Sequence, residues 1–220
     1  MRWKRRLPLV PLFLLLASLL IFTIPVRADS QGPNYPTIND AAWTNADYAH
    51  ESDNNRASAT VDGDGTVTGT SGTWEVQLTW DGGTTWTATK TASAPTSENW
   101  ASLGGSSDDW GHTWIQSEIN SDNFRVRIRG KPNYQTASRT VWGCWWGFGF
   151  SIPENVVVDG IVVEIEGYYE EETSYQTDTF YIDCIRITVY YHIANQAPTI
   201  GEFEAPSVVY AHQWAFLNVT

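Results

Sequence analysis

Two long runs of β-branched and aromatic residues constrain this chain more than any other feature. They lie within residues 148–191 and are FGFSIPENVVVDGIVVEIEGYYE and FYIDCIRITVYY. In the first run, Ile161, Val163 and Ile165 are interleaved with two glutamates. Successive side chains of a strand point to opposite faces, so this pattern predicts one buried and one solvated face. The chain is therefore expected to be all-β, an antiparallel two-sheet β-sandwich.

The second run changes phase part of the way along. Its apolar positions begin as Phe180, Ile182 and Cys184 and continue as a set that starts at Ile185. Apolar residues that alternate along a strand move from even to odd positions only where one extra residue is inserted. The pattern therefore predicts a β-bulge near residues 183–185. The alternative is a strand buried on both faces, in which parity carries no information.

The first 28 residues have the pattern of a signal peptide. A basic start precedes an apolar run over 7–24, and Val26 and Ala28 are the small residues that a signal peptidase recognises. Cleavage after Ala28 predicts a protein that is secreted or held at the cell surface, without membrane contact once the peptide is removed. The alternative is an uncleaved anchor, because the run is near the lower length of a membrane span.

The chain that remains after cleavage is strongly acidic. The whole sequence has 13 Lys and Arg against 25 Asp and Glu, and five of the basic residues lie in the first 28 positions. Eight basic and 25 acidic residues remain, a net charge of −17. A surface of this sign repels phosphate backbones, which excludes nucleic acid and leaves glycans or other surface proteins as expected partners. No cofactor is expected, although the charge permits calcium.

Cys144 and Cys184 are the only cysteines of the chain. An even number of cysteines in an exported protein suggests a disulfide. This pair would tie the entry to the first run to the second run, and loop-closure entropy would make the bridge worth roughly 4 kcal/mol. The alternative is two buried free thiols, because spacing along a sequence does not fix the separation of the Cα atoms.

The segments divide the chain into four parts. These are a signal peptide (1–28), an extended lead-in (29–40), a sandwich domain (41–193), and a linker with the start of a second β domain (194–220).

A hairpin is predicted within the sandwich domain. Apolar and polar residues alternate up to Trp80, and the Asp-Gly-Gly turn that follows predicts a second strand that begins directly after it.

A further strand is predicted over residues 124–129. Its apolar residues would face inward, and its other face would carry a stripe of three arginines, Arg125, Arg127 and Arg129. The simplest interpretation of this stripe is a solvated outer strand whose arginines pair with neighbouring acids.

Four phrases of the sequence resemble a known kind of module. They are AAWTNADYAHESDNNRASAT, SSDDWGHTWIQSEINSDNF, GFGFSIPENVVVDGIVVEIEG and IRITVYY, and they span residues 41–191. They resemble a jelly-roll-like β-sandwich module of tail- and capsid-associated phage proteins and of bacterial and archaeal surface proteins. In that family the third phrase usually comes soon after the first, whereas here the second phrase lies between them. Residues 141–178 therefore look transposed, which implies rewired strand connections. The tail from Asn195 resembles the start of an immunoglobulin-like or PKD-like module.

Tryptophan is abundant, with 12 residues in the chain. Exposed indole rings of sugar-binding modules stack on pyranose faces, whereas large aromatic residues otherwise fill a sandwich core. The candidates for a carbohydrate-binding surface lie in two glycine-rich clusters and are Trp110, Trp114, Trp142, Trp145 and Trp146.

Catalysis and calcium binding have weaker support in the sequence. Glu164 and Glu166 lie two apart on one strand face, as the paired carboxylates of sandwich glycosidases do. No aspartate lies between them, unlike the pattern of laminarinase-like enzymes. Asp62, Asp64 and residues 108–109 form acidic turns of a kind that binds calcium, but turn chemistry alone explains them.

The sequence therefore favours a non-enzymatic, exported module of a larger cell-surface or virion-associated protein, with a structural or adhesive role. The first alternative is a carbohydrate-binding module that uses exposed tryptophans, and the second is a sandwich-fold glycoside hydrolase. Clustered solvent-facing tryptophans would favour sugar binding over a purely structural role.

Overall fold

The computed structural model describes residues 28–62, 71–133, 138–172 and 177–194. These residues form ten strands, a 3-10 turn (Ala46–Ala49) and one short α-helix, α1 (Gln116–Ile119). The strands are β1 (Ala28–Asn34), β2 (Ile38–Asn39), β3 (Ala57–Asp62), β4 (Gly72–Thr79), β5 (Lys90–Ala94), β6 (Asn99–Gly104), β7 (Arg125–Pro132), β8 (Gly143–Trp146), β9 (Val156–Glu172) and β10 (Thr177–Ile193).

The strands form two five-stranded sheets. Sheet A has the order β1-β10-β9-β6, with β3 also paired to β10, and sheet B has the order β2-β8-β7-β4-β5. All pairs are antiparallel. The expected fold class, an all-β antiparallel two-sheet β-sandwich, is confirmed.

The two long apolar runs become β9 and β10, which pair along their whole length in sheet A. Ile161, Val163 and Ile165 are fully buried, as the alternation predicted. Asp159 is left unpaired where the register shifts near Gly160, which forms a bulge inside β9. A single long hairpin therefore forms the centre of sheet A, and shorter strands flank it.

The bulge predicted in the second run is confirmed, because the register shifts between Ile182 and Cys184. Asp183 is the extra residue. Beyond it Cys184 pairs with Glu166 and Ile185 faces the core. The bulge therefore comes one residue earlier than the apolar pattern implied, and it turns the Cys184 side chain to the outer face of sheet A.

Three inward-facing glycines of sheet B make room for large core rings. A Cβ added at Gly130 would lie 2.2 Å from Phe180, and one at Gly72 would lie 2.6 Å from the same ring. A Cβ at Gly143 would lie 2.5 Å from Trp145. Since real Cβ atoms do not approach so closely, glycine is what allows these rings to pack against the backbone of sheet B.

Residues 41–56 close one edge of the sandwich. Trp43 is 2% exposed, and its ring meets Trp145 edge-on with centroids 5.8 Å apart. The 3-10 turn carries Ala46 and Ala49 into the core, and the Ala46 carbonyl accepts a hydrogen bond from Trp145 Nε1 at 3.2 Å. The opening of the predicted sandwich domain is thus part of its core.

The segment predicted as an extended lead-in supplies an edge strand to each sheet. β1 pairs with β10 in sheet A, and β2 pairs with β8 in sheet B. The predicted signal peptide up to residue 27, the predicted linker and second β domain beyond Ala194, and Asp64 lie outside the described residues.

The loop that connects β4 and β5 is longer than predicted. β5 begins at Lys90, opposite Val76, instead of directly after the Asp-Gly-Gly turn. The intervening loop is fastened at Thr87, whose N–H donates to the Leu78 carbonyl at 2.9 Å and whose hydroxyl accepts from the Leu78 N–H at 3.0 Å. Such a fastened loop can hold a side chain in a fixed position, and it carries Trp86.

The predicted disulfide between Cys144 and Cys184 is not formed, since both cysteines are free. Cys144 pairs with Arg127 on the outer face of sheet B, whereas Cys184 lies on the outer face of sheet A. Packed sheets are about 10 Å apart, and a disulfide requires Cα atoms within about 7 Å. Both thiols are therefore free, as in the second interpretation, although only Cys184 is fully buried and Cys144 is half-buried. Burial is the main cause that raises the pKa of each thiol to about 12.

Candidate functional site

β7 is the middle strand of sheet B, between β8 and β4. Its residues alternate between buried and half-buried positions, with Val126 and Ile128 fully buried. Arg125, Arg127 and Arg129 therefore point outward, as the sequence predicted. Since the strand is central rather than at an edge, the arginine stripe runs across the middle of the outer face.

Half-buried tryptophans lie against these arginines. The guanidinium carbon of Arg127 is 4.1 Å from the ring centre of Trp86 and 4.4 Å from that of Trp142. The guanidinium carbon of Arg125 is 4.4 Å from the ring centre of Trp146. A cation–π contact contributes about 0.5–2 kcal/mol, so the rings and cations hold one another in place.

Arg129 differs from its neighbours because an acid neutralises it. Its Nε lies 2.6 Å from Glu75 Oε2, and Arg139 approaches the same carboxylate at 2.9 Å. Glu75 is 6% exposed, and although burial raises its pKa, the two guanidinium groups hold that pKa below its usual value. Arg129 also lies 4.2 Å from the ring centre of Trp142. The expected pairing of the stripe with acids is thus found at this position.

Arg125 and Arg127 form no ion pair with any residue that the structure describes. Arg127 donates through Nε to the amide oxygen of Gln77 at 2.8 Å, and Arg125 donates through Nε to the Asp122 carbonyl at 3.2 Å. Burial, followed by the charge of Arg129, lowers the pKa of Arg127. Two positive charges on this face therefore lack a counter-ion in the described chain.

These residues form one continuous surface on sheet B, which we call the tryptophan–arginine face. Its members are Trp86, Trp142, Trp146, Arg125, Arg127 and Arg129.

The five tryptophans proposed from the sequence divide between the core and this face. Trp142 and Trp146 lie on the face, half-buried. Trp110, Trp114 and Trp145 are 2%, 4% and 0% exposed and lie in the core. Trp145 and Trp146 are adjacent in β8 but differ in burial, because successive side chains of a strand point to opposite sides.

Trp86 is a member of the face that sequence reasoning did not assign to a site. Its Nε1 donates to the Gly83 carbonyl at 2.9 Å, which turns the ring back over β7. The pattern predicted a strand at this position, and no local feature of the sequence indicates a contact with Arg127. The pairing of β4 with β7 creates that contact.

The paired glutamates considered for catalysis have separate partners on the outer face of sheet A. Glu164 forms an ion pair with Arg186 at 2.8 Å, and Glu166 accepts a hydrogen bond from Ser52 Oγ at 2.6 Å. Arg186 also lies 3.9 Å from the ring centre of Trp100. Each glutamate thus has a partner of its own within the sandwich.

The acidic turn at 108–109 also has internal partners. Asp108 forms an ion pair with Lys90 at 2.7 Å, and Asp109 Oδ1 accepts from the Gly111 N–H at 2.8 Å. Among the described residues, no group of three or more His, Cys, Asp or Glu side chains could hold a metal ion.

A cavity of about 500 Å³ opens at the end of sheet A, between β1, β9 and β10. Asp29 and Glu154 line it together with Tyr191 and Ile193. Because its described lining has two carboxylates and no basic side chain, its chemistry is opposite to that of the tryptophan–arginine face.

Asp183, the bulge residue of β10, is a buried acid in an unfavourable position. It is 2% exposed, and its Oδ1 has no hydrogen-bond partner. Burial raises its pKa, and the charges of Glu98 and Glu166 raise it further, against smaller opposing effects of the Asp53 N–H and Arg56. The ionised carboxylate therefore destabilises the folded state.

Replacing Asp183 with asparagine is expected to stabilise the domain at pH 7. When folding raises the pKa of an acid, the free energy of unfolding is lowered by its full amount at pH values above the pKa of the folded state. This loss of stability shrinks as the pH falls below that pKa, and it disappears below the ordinary pKa of 3.8. The gain from D183N should therefore shrink as the pH is lowered towards 3.8. Chemical unfolding at a series of pH values measures it.

Asp81→Asn is the control with the opposite sign. The Thr85 N–H donates to Asp81 Oδ1 at 2.8 Å and is the main cause that lowers the pKa of Asp81 to about 2. D81N should lose stability at pH 7, and the loss should disappear as the pH falls through that value. A D183N variant that is less stable than the parent chain at pH 7 would contradict the account of Asp183.

Compared with protein-family models, with curated proteins and with solved structures, the chain matches none of them. In the part of the chain that the structure describes, no helix is long and apolar enough to cross a membrane. The surface chemistry of the sandwich is therefore the basis for assigning a function.

Proposed function

We propose that this chain is a non-enzymatic, exported adhesive module that binds glycans through its tryptophan–arginine face. The observation that carries the proposal is the set of half-buried indole rings Trp86, Trp142 and Trp146 on the outer face of one sheet. Aromatic rings at a surface supply rigid contact areas for apolar faces of a ligand, and a pyranose ring has such a face. The arginines cover part of each indole ring, so a sugar would contact the ring surface that they leave free.

The arginines prepare this surface for binding. Because cations lie over the indole rings, the orientations of Trp86 and Trp142 are fixed before a ligand arrives. A surface that is already ordered loses less conformational entropy on association. The same arginines, with Gln77 beside them, supply hydrogen-bonding groups next to the rings, which is the combination that sugar hydroxyls require.

The sequence supports the setting of this proposal. The first 28 residues have the pattern of an export signal, and four phrases of the sandwich domain resemble a jelly-roll-like module of phage-associated and cell-surface proteins. In such a setting the chain would be one module of a larger secreted, cell-surface or virion-associated protein, and the domain would serve in attachment.

A purely structural role is the second candidate, and sheet A gives the reason to consider it. There, the guanidinium carbon of Arg186 lies 3.9 Å from the ring centre of Trp100. A tryptophan–arginine contact therefore also occurs on the opposite face of the sandwich. Arg186 is neutralised by Glu164, whereas Arg125 and Arg127 have no acid in the described chain. This difference favours a ligand for sheet B.

Glycan binding by the tryptophan variants tests the proposal. The purified chain is screened on a glycan array, and affinities for the glycans that bind are measured by calorimetry. Trp142→Ala and Trp86→Ala should each lower affinity about tenfold, the equivalent of about 1.4 kcal/mol of lost ring contact. Trp100→Ala is the matched control, because it removes a ring of the same type and the same stacking contact from the opposite face.

Two outcomes would overturn the proposal. If no glycan binds the parent chain, the structural role is favoured. If Trp100→Ala lowers affinity as much as Trp142→Ala does, ligand binding is not located on sheet B. Circular dichroism and thermal unfolding of each variant separate loss of binding from loss of fold.

A further inference from the structure

Charge distinguishes the tryptophan–arginine face from the rest of the molecule. After residues 1–28 are removed, the chain has eight basic and 25 acidic residues. Four of those eight lie on β7, and three of them, Arg125, Arg127 and Arg129, belong to this face. Of these three arginines only Arg129 forms an ion pair with a described acid, Glu75, which it shares with Arg139. An acidic protein thus presents a local excess of positive charge at the place where three half-buried indole rings lie at its surface.

Arg127 is the centre of this excess. Its guanidinium group lies over two indole rings, and two of its N–H groups donate hydrogen bonds to the amide oxygen of Gln77. An arginine has five N–H donors, so three remain for a ligand. Gln77 is neutral, and the ring contacts and partial burial remove water from the cation without supplying an anion. Such a desolvated cation gains more from an anionic partner than a fully hydrated one does.

The partner that fits is planar and anionic. A guanidinium group binds a carboxylate through two parallel N–H···O bonds in a common plane. Arg125 lies two residues away on the same face of β7, with its Cα about 7 Å from that of Arg127, and provides a second cation. Neither side chain forms an ion pair with a described acid.

We infer that the glycan bound by this face is acidic, and that Arg127, assisted by Arg125, binds the carboxylate of a uronic acid while the neighbouring indoles contact its sugar ring. The inference rests on the proposed function and adds to it the chemical class of the ligand. Charge complementarity selects an anion, and the rings beside it select a carbohydrate over a small free anion.

Polygalacturonate and its fully methyl-esterified form are the probes that test the charge. Both have the same sugar backbone, and esterification removes the carboxylate charge. The parent chain should bind polygalacturonate at least tenfold more tightly than the ester, and this preference should decrease as salt is raised. Arg127→Gln should abolish the preference and retain weak binding of the ester.

Matched variants isolate the role of Arg127. Arg186→Gln removes an arginine that also stacks on a tryptophan, on sheet A, and should leave both affinities unchanged. Arg127→Lys keeps a charge but loses the planar fork, so it should retain only part of the preference. Arg125→Gln should reduce the preference and provides a second test if Arg127→Gln does not fold.

Each remaining outcome identifies what has failed. Equal affinity for polygalacturonate and its ester would overturn the acidic-ligand inference and leave glycan binding intact. Tighter binding of a sulfated glycan of equal charge density would overturn the assignment of a carboxylate, and tighter binding of a single-stranded oligonucleotide would overturn the assignment of a glycan. Failure to bind any of these probes would overturn this inference, and failure on the glycan array would overturn the proposed function as well.

Discussion

Replacing Trp145 with alanine is expected to lower the free energy of unfolding by about 3–5 kcal/mol, the range for removing a large aromatic side chain from a core. Trp145 is fully buried. Its ring packs edge-on against Trp43, and its Nε1 donates to the Ala46 carbonyl at 3.2 Å. The substitution therefore leaves a cavity and an unpaired carbonyl where residues 41–56 join the sandwich.

The adjacent residue provides the control. Trp146 lies on the outer face of the same strand, half-buried, with the Arg125 cation 4.4 Å from its ring centre. Trp146→Ala should cost about 1 kcal/mol, the size of one partly exposed cation–π contact. Urea unfolding followed by circular dichroism measures both variants without relying on tryptophan fluorescence. Equal costs for the two substitutions would contradict the orientation of β8.

Gly130→Ala is the second substitution with a large expected effect. The added Cβ would lie 2.2 Å from Cγ and 2.3 Å from Cδ2 of Phe180. That ring is fully buried, and it packs against Trp74 and Tyr169 with centroids 5.2 Å and 5.0 Å away. Since the ring has no free space to enter, β7 or β10 must shift. Overpacking of this kind costs about 1–3 kcal/mol.

Thermal unfolding measures this effect, because 1 kcal/mol shifts the Tm of a domain of this size by about 2–4 °C. Gly105→Ala is the matched control. A Cβ at Gly105 would have Asp108 as its nearest neighbour, at 3.9 Å, and its backbone lies outside the left-handed region. G105A should leave the Tm nearly unchanged. If G130A is as stable as G105A, the packing of Phe180 against the backbone of sheet B is wrong.

These substitutions also show how far the sequence alone could go. The alternation of Phe124, Val126 and Ile128 predicted a buried face for a strand over residues 124–129, and the structure confirms all three as buried. The change of phase predicted the bulge beside Asp183, and the register shift confirms it. Both predictions succeeded because strand periodicity is a local property that a few consecutive residues determine.

Predictions that depended on contacts between distant segments were less successful. The disulfide between Cys144 and Cys184 was wrong because the parity of each strand placed one thiol on each outer face. The second strand of the hairpin began later than the turn implied, so that Trp86 lies in a loop over Arg127. Cysteine number and turn chemistry carry no information about which outer face a side chain occupies.

The candidate site combines both kinds of information. The stripe Arg125, Arg127 and Arg129 was visible in the sequence, and so were Trp142 and Trp146 as candidates. That the stripe lies at the centre of a sheet, with indole rings over it and an acid at only one end, was not visible. The pairing of β7 with β4 and β8 supplies those neighbours.

The sequence by itself determined that this protein is built from strands, which residues of each strand share a side, and that its charge is strongly negative. These properties follow from side-chain chemistry and the two-residue period of a strand, which need no partner. The tertiary structure alone decided which strands are neighbours, and therefore which tryptophans are buried and which lie on arginines. That choice depends on the packing of two sheets around one core, to which residues far apart in the chain contribute together.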